Sequence, residues 1–201
     1  MAKRKAYLHI GLPRTGGGFL DSALTEHADA LAAVGVRHPA ISAEEMFRAA
    51  IEIRRYHKAW GYQRREVEGT WAEICRRARK GGHTAVFSQE LLAACTAEQV
   101  DLLLDGLAGF EVHVVVTERE PDDALDPWRS AVRPERWHAI AVPDVDAERA
   151  VWTAFGDIVG FDAAGLPLDT DWTTTRPMTG RPRRSCSRSS APAHWLMWSP
   201  R

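Results

Sequence analysis

Short apolar runs bounded by glycine, proline or polar residues alternate along this chain with longer stretches whose apolar residues recur every three to four positions. That alternation restricts the fold more than any other feature. A strand, a helical segment and a further strand are joined by a crossover, and crossovers place successive strands parallel in one sheet. A parallel sheet is buried on both faces, so helices must cover each side. Residues 6–10 (AYLHI) form the first such run and stop at Gly11 and Pro13. Phe19, Leu20, Ala23, Leu24, His27 and Leu31 then share one helical face as far as residue 33, with Gly35 placed as a C-cap and a short strand expected over 36–38. Ser42 with Glu45, and Thr96 with Gln99, have capping-box spacing at two further helix starts. Val67, Trp71, Ile74, Cys75 and Ala78 mark a helix ending near Gly81 and Gly82, and residues 84–88 (TAVFS) and 111–117 (EVHVVVT) read as strands. A last helix over 144–160 carries Val151, Trp152, Phe155, Ile158 and Val159. The expected fold class is α/β, with a mostly parallel central sheet and helices on both faces.

Charge divides the chain unequally. The net charge is −1, but residues 172–201 hold six arginines and no acid, so that segment is +6 and the rest −7. The segment also holds four prolines, five serines and one residue of the Leu/Ile/Val set, Leu196. So little apolar surface does not offset the entropy of ordering, and residues 172–201 are expected to be a basic tail, disordered or aberrant, behind an α/β domain over 1–171. The tail lacks the regular cation and aromatic spacing of a nucleic-acid module, so no specific nucleic-acid binding is expected. With 45% hydrophobic and 26% charged residues the composition is that of a globular protein. No apolar stretch nears the ~18 residues of a membrane span, and a cytoplasmic location is the expectation. Cys75, Cys95 and Cys186 are too few and too widely spaced for a disulfide framework or a metal knuckle. The eight histidines show no HxxxH or HExxH spacing. His113, alternating with Val112 and Val114, reads as a wall residue of a strand.

The loop after the first strand carries the sharpest chemical signal. HIGLPRTGGGF, residues 9–19, sets four glycines and an arginine between a buried strand and a helix start. Glycines let successive N–H groups face one way, and the helix N-terminus adds partial positive charge, which together suit a phosphate. The Walker pattern GxxxxGK[ST] is half met. Gly11 and Gly16 fit, whereas Gly17 and Gly18 replace the lysine and the magnesium-binding hydroxyl. GxGxxG fails at Pro13. A kinase with a non-standard loop would also want an aspartate at the end of EVHVVVTERE, where only glutamates stand.

The loop resembles the 5′-phosphosulfate loop of PAPS-dependent sulfotransferases, at Pro13, Arg14, Thr15 and Gly16. More closely, the chain is similar to actinobacterial sulfotransferase-family proteins that open with an HxGLPKTGTT-like loop, carry Ser-x-Glu after the next core strand and then a strand ending in arginine. Here these are residues 9–18, Ser88-Gln89-Glu90 and residues 114–119 (VVVTER). The resemblance covers residues 6 to about 170 and implies a three-layer fold of the P-loop type. It also implies sulfuryl transfer from PAPS to a hydroxyl or amine of a small-molecule or glycan acceptor. It implies a cofactor site at Pro13, Arg14, Thr15, Gly16, Gly17, Gly18 and Phe19, with Arg119 on the 3′-phosphate and Ser130 nearest to the serine that usually follows. Arg14 stands at the family lysine, and Glu90 at the carboxylate that acts as general base; His83 and His9 are further candidates for that base. The same residues admit structural readings: Arg14 capping the loop or pairing with Asp21, Glu90 favouring a helix start, Arg119 pairing with Glu118 or Asp122. A degenerate or truncated relative that keeps the fold, binding nucleotide weakly or not at all and without transfer, is the competing reading, drawn from the loop substitutions and the unlike tail.

Overall fold

The computed structural model describes residues 3–12, 15, 18–120 and 122–168. The tail at 172–201, with Cys186, lies outside them, as does the boundary expected at 171. Five strands form one sheet in the order β2-β3-β1-β4-β5, every adjacent pair parallel. They are β1 (Arg4–Gly11), β2 (Val36–Arg37), β3 (Thr84–Ser88), β4 (Phe110–Glu118) and β5 (Trp137–Ala141). Between β1 and β2 run α1 (Gly18–Glu26) and α2 (Ala28–Ala33); between β2 and β3, α3 (Ala43–Ile53), α4 (Arg64–Val67) and α5 (Thr70–Lys80). Then come α6 (Ala97–Gly106) before β4, α7 (Asp126–Ala131) before β5, and α8 (Ala147–Val159) after it.

Strand period two sorts the core into two layers. Leu8 and Ile10 of β1, Phe87 of β3, and Val114 and Val116 of β4 face one side, where Met46 of α3, Ile74 of α5, Leu103 of α6 and Trp128 of α7 pack against them. Tyr7, Val86, Val115 and Ile140 face the other, under Leu20 and Leu24 of α1 and Val151, Trp152 and Phe155 of α8. The buried tryptophans also satisfy their indole N–H groups on carbonyls: Trp71 on Leu103, Trp128 on Leu92 and Trp152 on Leu166. This is the three-layer α/β architecture expected from the alternation.

Local signals explain most of the element ends. Ser42 caps α3, accepting from Glu45 N at 3.2 Å. The Glu45 carboxylate does not close the box on Ser42; it accepts from Ile41 N at 2.9 Å and from the Arg77 guanidinium of α5. Thr96 and Gln99 do close a full capping box on α6. Gly35 takes φ +83° directly after α2, a left-handed conformation that glycine adopts without penalty. The single helix expected over 19–33 is two, broken at His27, whose ring lies 3.0 Å from Pro167 O.

Candidate functional site

The order of strands places a crevice. From β1 the chain leaves toward β2 on one side of the sheet, and from the adjacent β4 it leaves toward β5 on the other. Neighbouring connections that diverge open a gap outside the carboxyl ends of the strands, where open α/β sheets take their ligands. Gly11, Thr117 and Ser88 all lie at that edge, with Glu90 two residues beyond β3.

A chain of hydrogen bonds fixes the edge from beneath. His9 is fully buried; its Nδ1 lies 2.8 Å from Ser88 Oγ and its Nε2 3.2 Å from Thr117 Oγ1. Thr15 Oγ1 donates to Leu12 O at 2.6 Å and lies 2.9 Å from Thr117 Oγ1. Since Leu12 O can only accept, the Thr15 proton is used there, and the Thr117 hydroxyl donates to Thr15. Thr117 then accepts from His9 Nε2–H, and His9 Nδ1 accepts from Ser88. Every proton has one place. Burial lowers the His9 pKa to about 3, so the ring is neutral in this chain of bonds. With both nitrogens engaged and its charged form suppressed, His9 holds strands β3, β1 and β4 in register with the loop and is not a base for the crevice. His83 is not one either: it precedes β3 and so stands at the opposite, amino edge of the sheet.

Gly11 shows how closely the parts meet. A Cβ there would stand 2.8 Å from Thr117 Oγ1, 3.4 Å from Glu90 Cγ and 3.4 Å from His9 Cε1. Only a residue without a side chain lets the strand exit, the Glu90 side chain and the end of β4 converge. Glu90 opens a short 3-10 turn, Glu90–Ala94, and is partly buried. Gln89 sets that turn, donating from its N–H to His9 O at 3.1 Å and accepting from Leu91 N at 3.3 Å.

The remaining expected residues fall as follows. Pro13, Arg14, Gly16 and Gly17 lie outside the described residues. Gly18 begins α1, and Phe19 is buried in the core beneath α8. The Thr15 hydroxyl is turned inward, its donor spent on Leu12 O, so its visible part is to hold the loop. Arg119 follows β4 directly and is about half exposed; its guanidinium meets Asp144 Oδ1 at 2.6 Å, not Glu118 or Asp122. Ser130 is exposed on α7. Burial pushes the Cys75 and Cys95 thiols up to about 12, so both are unreactive at neutral pH.

One buried pair was not signalled by spacing. His38, just after β2, donates from Nδ1 to Val86 O at 2.9 Å, and its Nε2 lies 3.3 Å from Asp21 Oδ1 of α1. The approach is close enough for an ion pair but off-line for a hydrogen bond, and neither atom has another partner. The contact sets the first turn of α1 against the end of β2. Asp21 is thus directed at His38. A separate open groove of about 470 Å³, lined by Glu52, Arg55, His57, Arg64 and Leu102 among others, shares no residue with the crevice.

No protein-family model matches the chain, and no curated protein matches it.

Proposed function

We propose that the chain is a sulfotransferase-like protein that transfers a sulfuryl group from PAPS to a hydroxyl or amine of a small-molecule or glycan acceptor. The observation that carries this reading is the convergence at Gly11, where the glycine-rich loop leaves β1 within van der Waals reach of both Glu90 and Thr117. A phosphate-binding loop and a carboxylate base have to meet at one point for an acceptor oxygen to attack beside the anion. The crevice between β1 and β4 supplies that point.

The fit to PAPS rests on what this edge offers. The first N–H groups of α1 have no acceptor within their own helix and stand beside positive helix charge, as an anion requires. The cradle at Gly11 has no room for a side chain, and the Ser88–His9–Thr117–Thr15 bonds hold it still. Arg14 would hold the 5′ end as a planar, always charged fork, and Arg119 the 3′-phosphate. When bound, PAPS supplies an activated sulfuryl group and a bisphosphate leaving group. Glu90 would take the proton from the acceptor hydroxyl or amine, and Arg14 would offset the negative charge on the departing oxygen.

The second reading, a degenerate or truncated protein of the same fold that binds nucleotide weakly or not at all and has no transfer, is favoured by the Arg119–Asp144 pair, because a phosphate must displace Asp144 to engage that guanidinium. Gly17 and Gly18 also leave the loop without side-chain hydroxyls.

Calorimetric titration with adenosine 3′,5′-bisphosphate, against AMP and ATP, tests the site without knowledge of the acceptor. Micromolar binding that requires the 3′-phosphate is expected. Glu90→Gln is expected to keep that affinity and lose turnover with an acceptor, which separates the two readings. A folded protein that binds none of the three nucleotides overturns the first reading and supports the second.

A further inference from the structure

A second polar cluster lies on the same sheet, toward the amino ends of the strands. Glu111 and His113 of β4 project to the α1 and α8 side, as do Val115 and Thr117, and His138 of β5 is in register with Val115. His113 Nε2 lies 3.1 Å from Glu111 Oε1, and His113 Nδ1 lies 3.0 Å from His138 Nε2. The two imidazole planes differ by 18° with centroids 5.2 Å apart. At that separation with the nitrogens in contact, the rings meet edge to edge and not face over face, His138 Nε2–H donating to His113 Nδ1. The carboxylate only accepts, so His113 carries its proton on Nε2 and turns a bare Nδ1 to His138. Tyr7 stacks on the His113 ring at 4.9 Å and fixes its plane.

We propose that His113 and His138 form a binding site for a divalent d-block cation of the zinc class, with Glu111 as the carboxylate that orients His113. Imidazole nitrogens are the usual ligands of such ions, and a ligating histidine commonly donates its other N–H to a carboxylate, the arrangement at Glu111 and His113. Two zinc–nitrogen bonds of about 2.0–2.1 Å at a tetrahedral angle put the nitrogens about 3.3 Å apart, so a small opening of the observed 3.0 Å contact admits the ion. The proton on His138 Nε2 moves to its Nδ1 as the ion enters, and none is released. Among the described residues no three His, Cys, Asp or Glu side chains converge on one ion, so water completes the shell. His138 is partly exposed, which gives those waters access. Arg136, 3.4 Å from Glu111 Oε2, shares the carboxylate, and with Lys5, in register with Glu111 on β1, it is the positive charge that a metal must tolerate.

The test is titration of the full chain with zinc chloride at neutral pH against a chromophoric chelator, alongside thermal unfolding. One equivalent is expected to bind and raise the unfolding temperature. Both effects are lost in His113→Ala and His138→Ala, the affinity falls 10–100-fold in Glu111→Gln, and His57→Ala behaves as the parent. If His113→Ala does not fold by circular dichroism, His138→Ala decides alone. Absence of saturable binding by the folded parent, or one equivalent retained in a folded histidine variant, overturns the proposal.

Discussion

His9 shows what a single residue can and cannot disclose in a sequence. Its position in an apolar run marks it as buried, and burial with satisfied nitrogens is its state. Its partners, Ser88 and Thr117, are 79 and 108 residues away, and only the parallel register of β3, β1 and β4 brings them together. Titration follows from the geometry. The unfolded ring takes a proton below about pH 6.5, while the folded ring stays neutral down to about 3. The unfolded state therefore binds more protons across that window, and stability falls as pH falls, by up to about 1.4 kcal/mol per pH unit. Urea unfolding from pH 7 to 4 is expected to show this slope in the parent and a shallower one in His9→Gln. Thr117→Val leaves the His9 Nε2–H without its acceptor in a dry site and should cost about 1–3 kcal/mol, read from the urea midpoint at pH 7.

Elements were legible where local chemistry acts alone. The caps at Ser42 and Thr96, the glycine after α2 and the apolar run of β4 are properties of a few adjacent residues. β5 was not legible. Trp137–Ala141 is an edge strand with Ile140 as its one buried residue, so it shows neither a buried run nor a clean alternation. α7 was missed for a related reason: six residues with Trp128 as the single buried one give no period to count. The packing of α5 on α6 is likewise invisible before folding. A Cβ on Gly106 would fall 2.4 Å from Trp71 Nε1 and 3.2 Å from Cys75 Sγ. Helix propensity alone favours alanine there by up to about 1 kcal/mol. The contact reverses the sign, and Gly106→Ala is expected to destabilise by about 1–3 kcal/mol in equilibrium unfolding.

The whole molecule separates two sites along one strand. Thr117, at the crevice, and His113, at the proposed cation site, lie four residues apart in β4, about 13 Å at about 3.3 Å per residue. Sites at that distance without shared partners behave additively. His138→Ala is therefore expected to leave the affinity for adenosine 3′,5′-bisphosphate unchanged, and Glu90→Gln to leave zinc binding unchanged; a shift in either titration would mean that the sheet couples them. The same topology bears on the outer edge of the sheet. β2 contributes only Val36 and Arg37 to the sheet, so among the described residues the carboxyl half of β3 has no strand on its outer side. His38 occupies that flank, its imidazole N–H bonded to Val86 O as a peptide N–H of a longer β2 would have been. Arg77 holds the next turn through Pro39 O at 2.8 Å. An aromatic side chain standing in for backbone stops the ladder in a form that no second strand can extend, and so protects this edge against the strand-to-strand stacking by which open sheets aggregate.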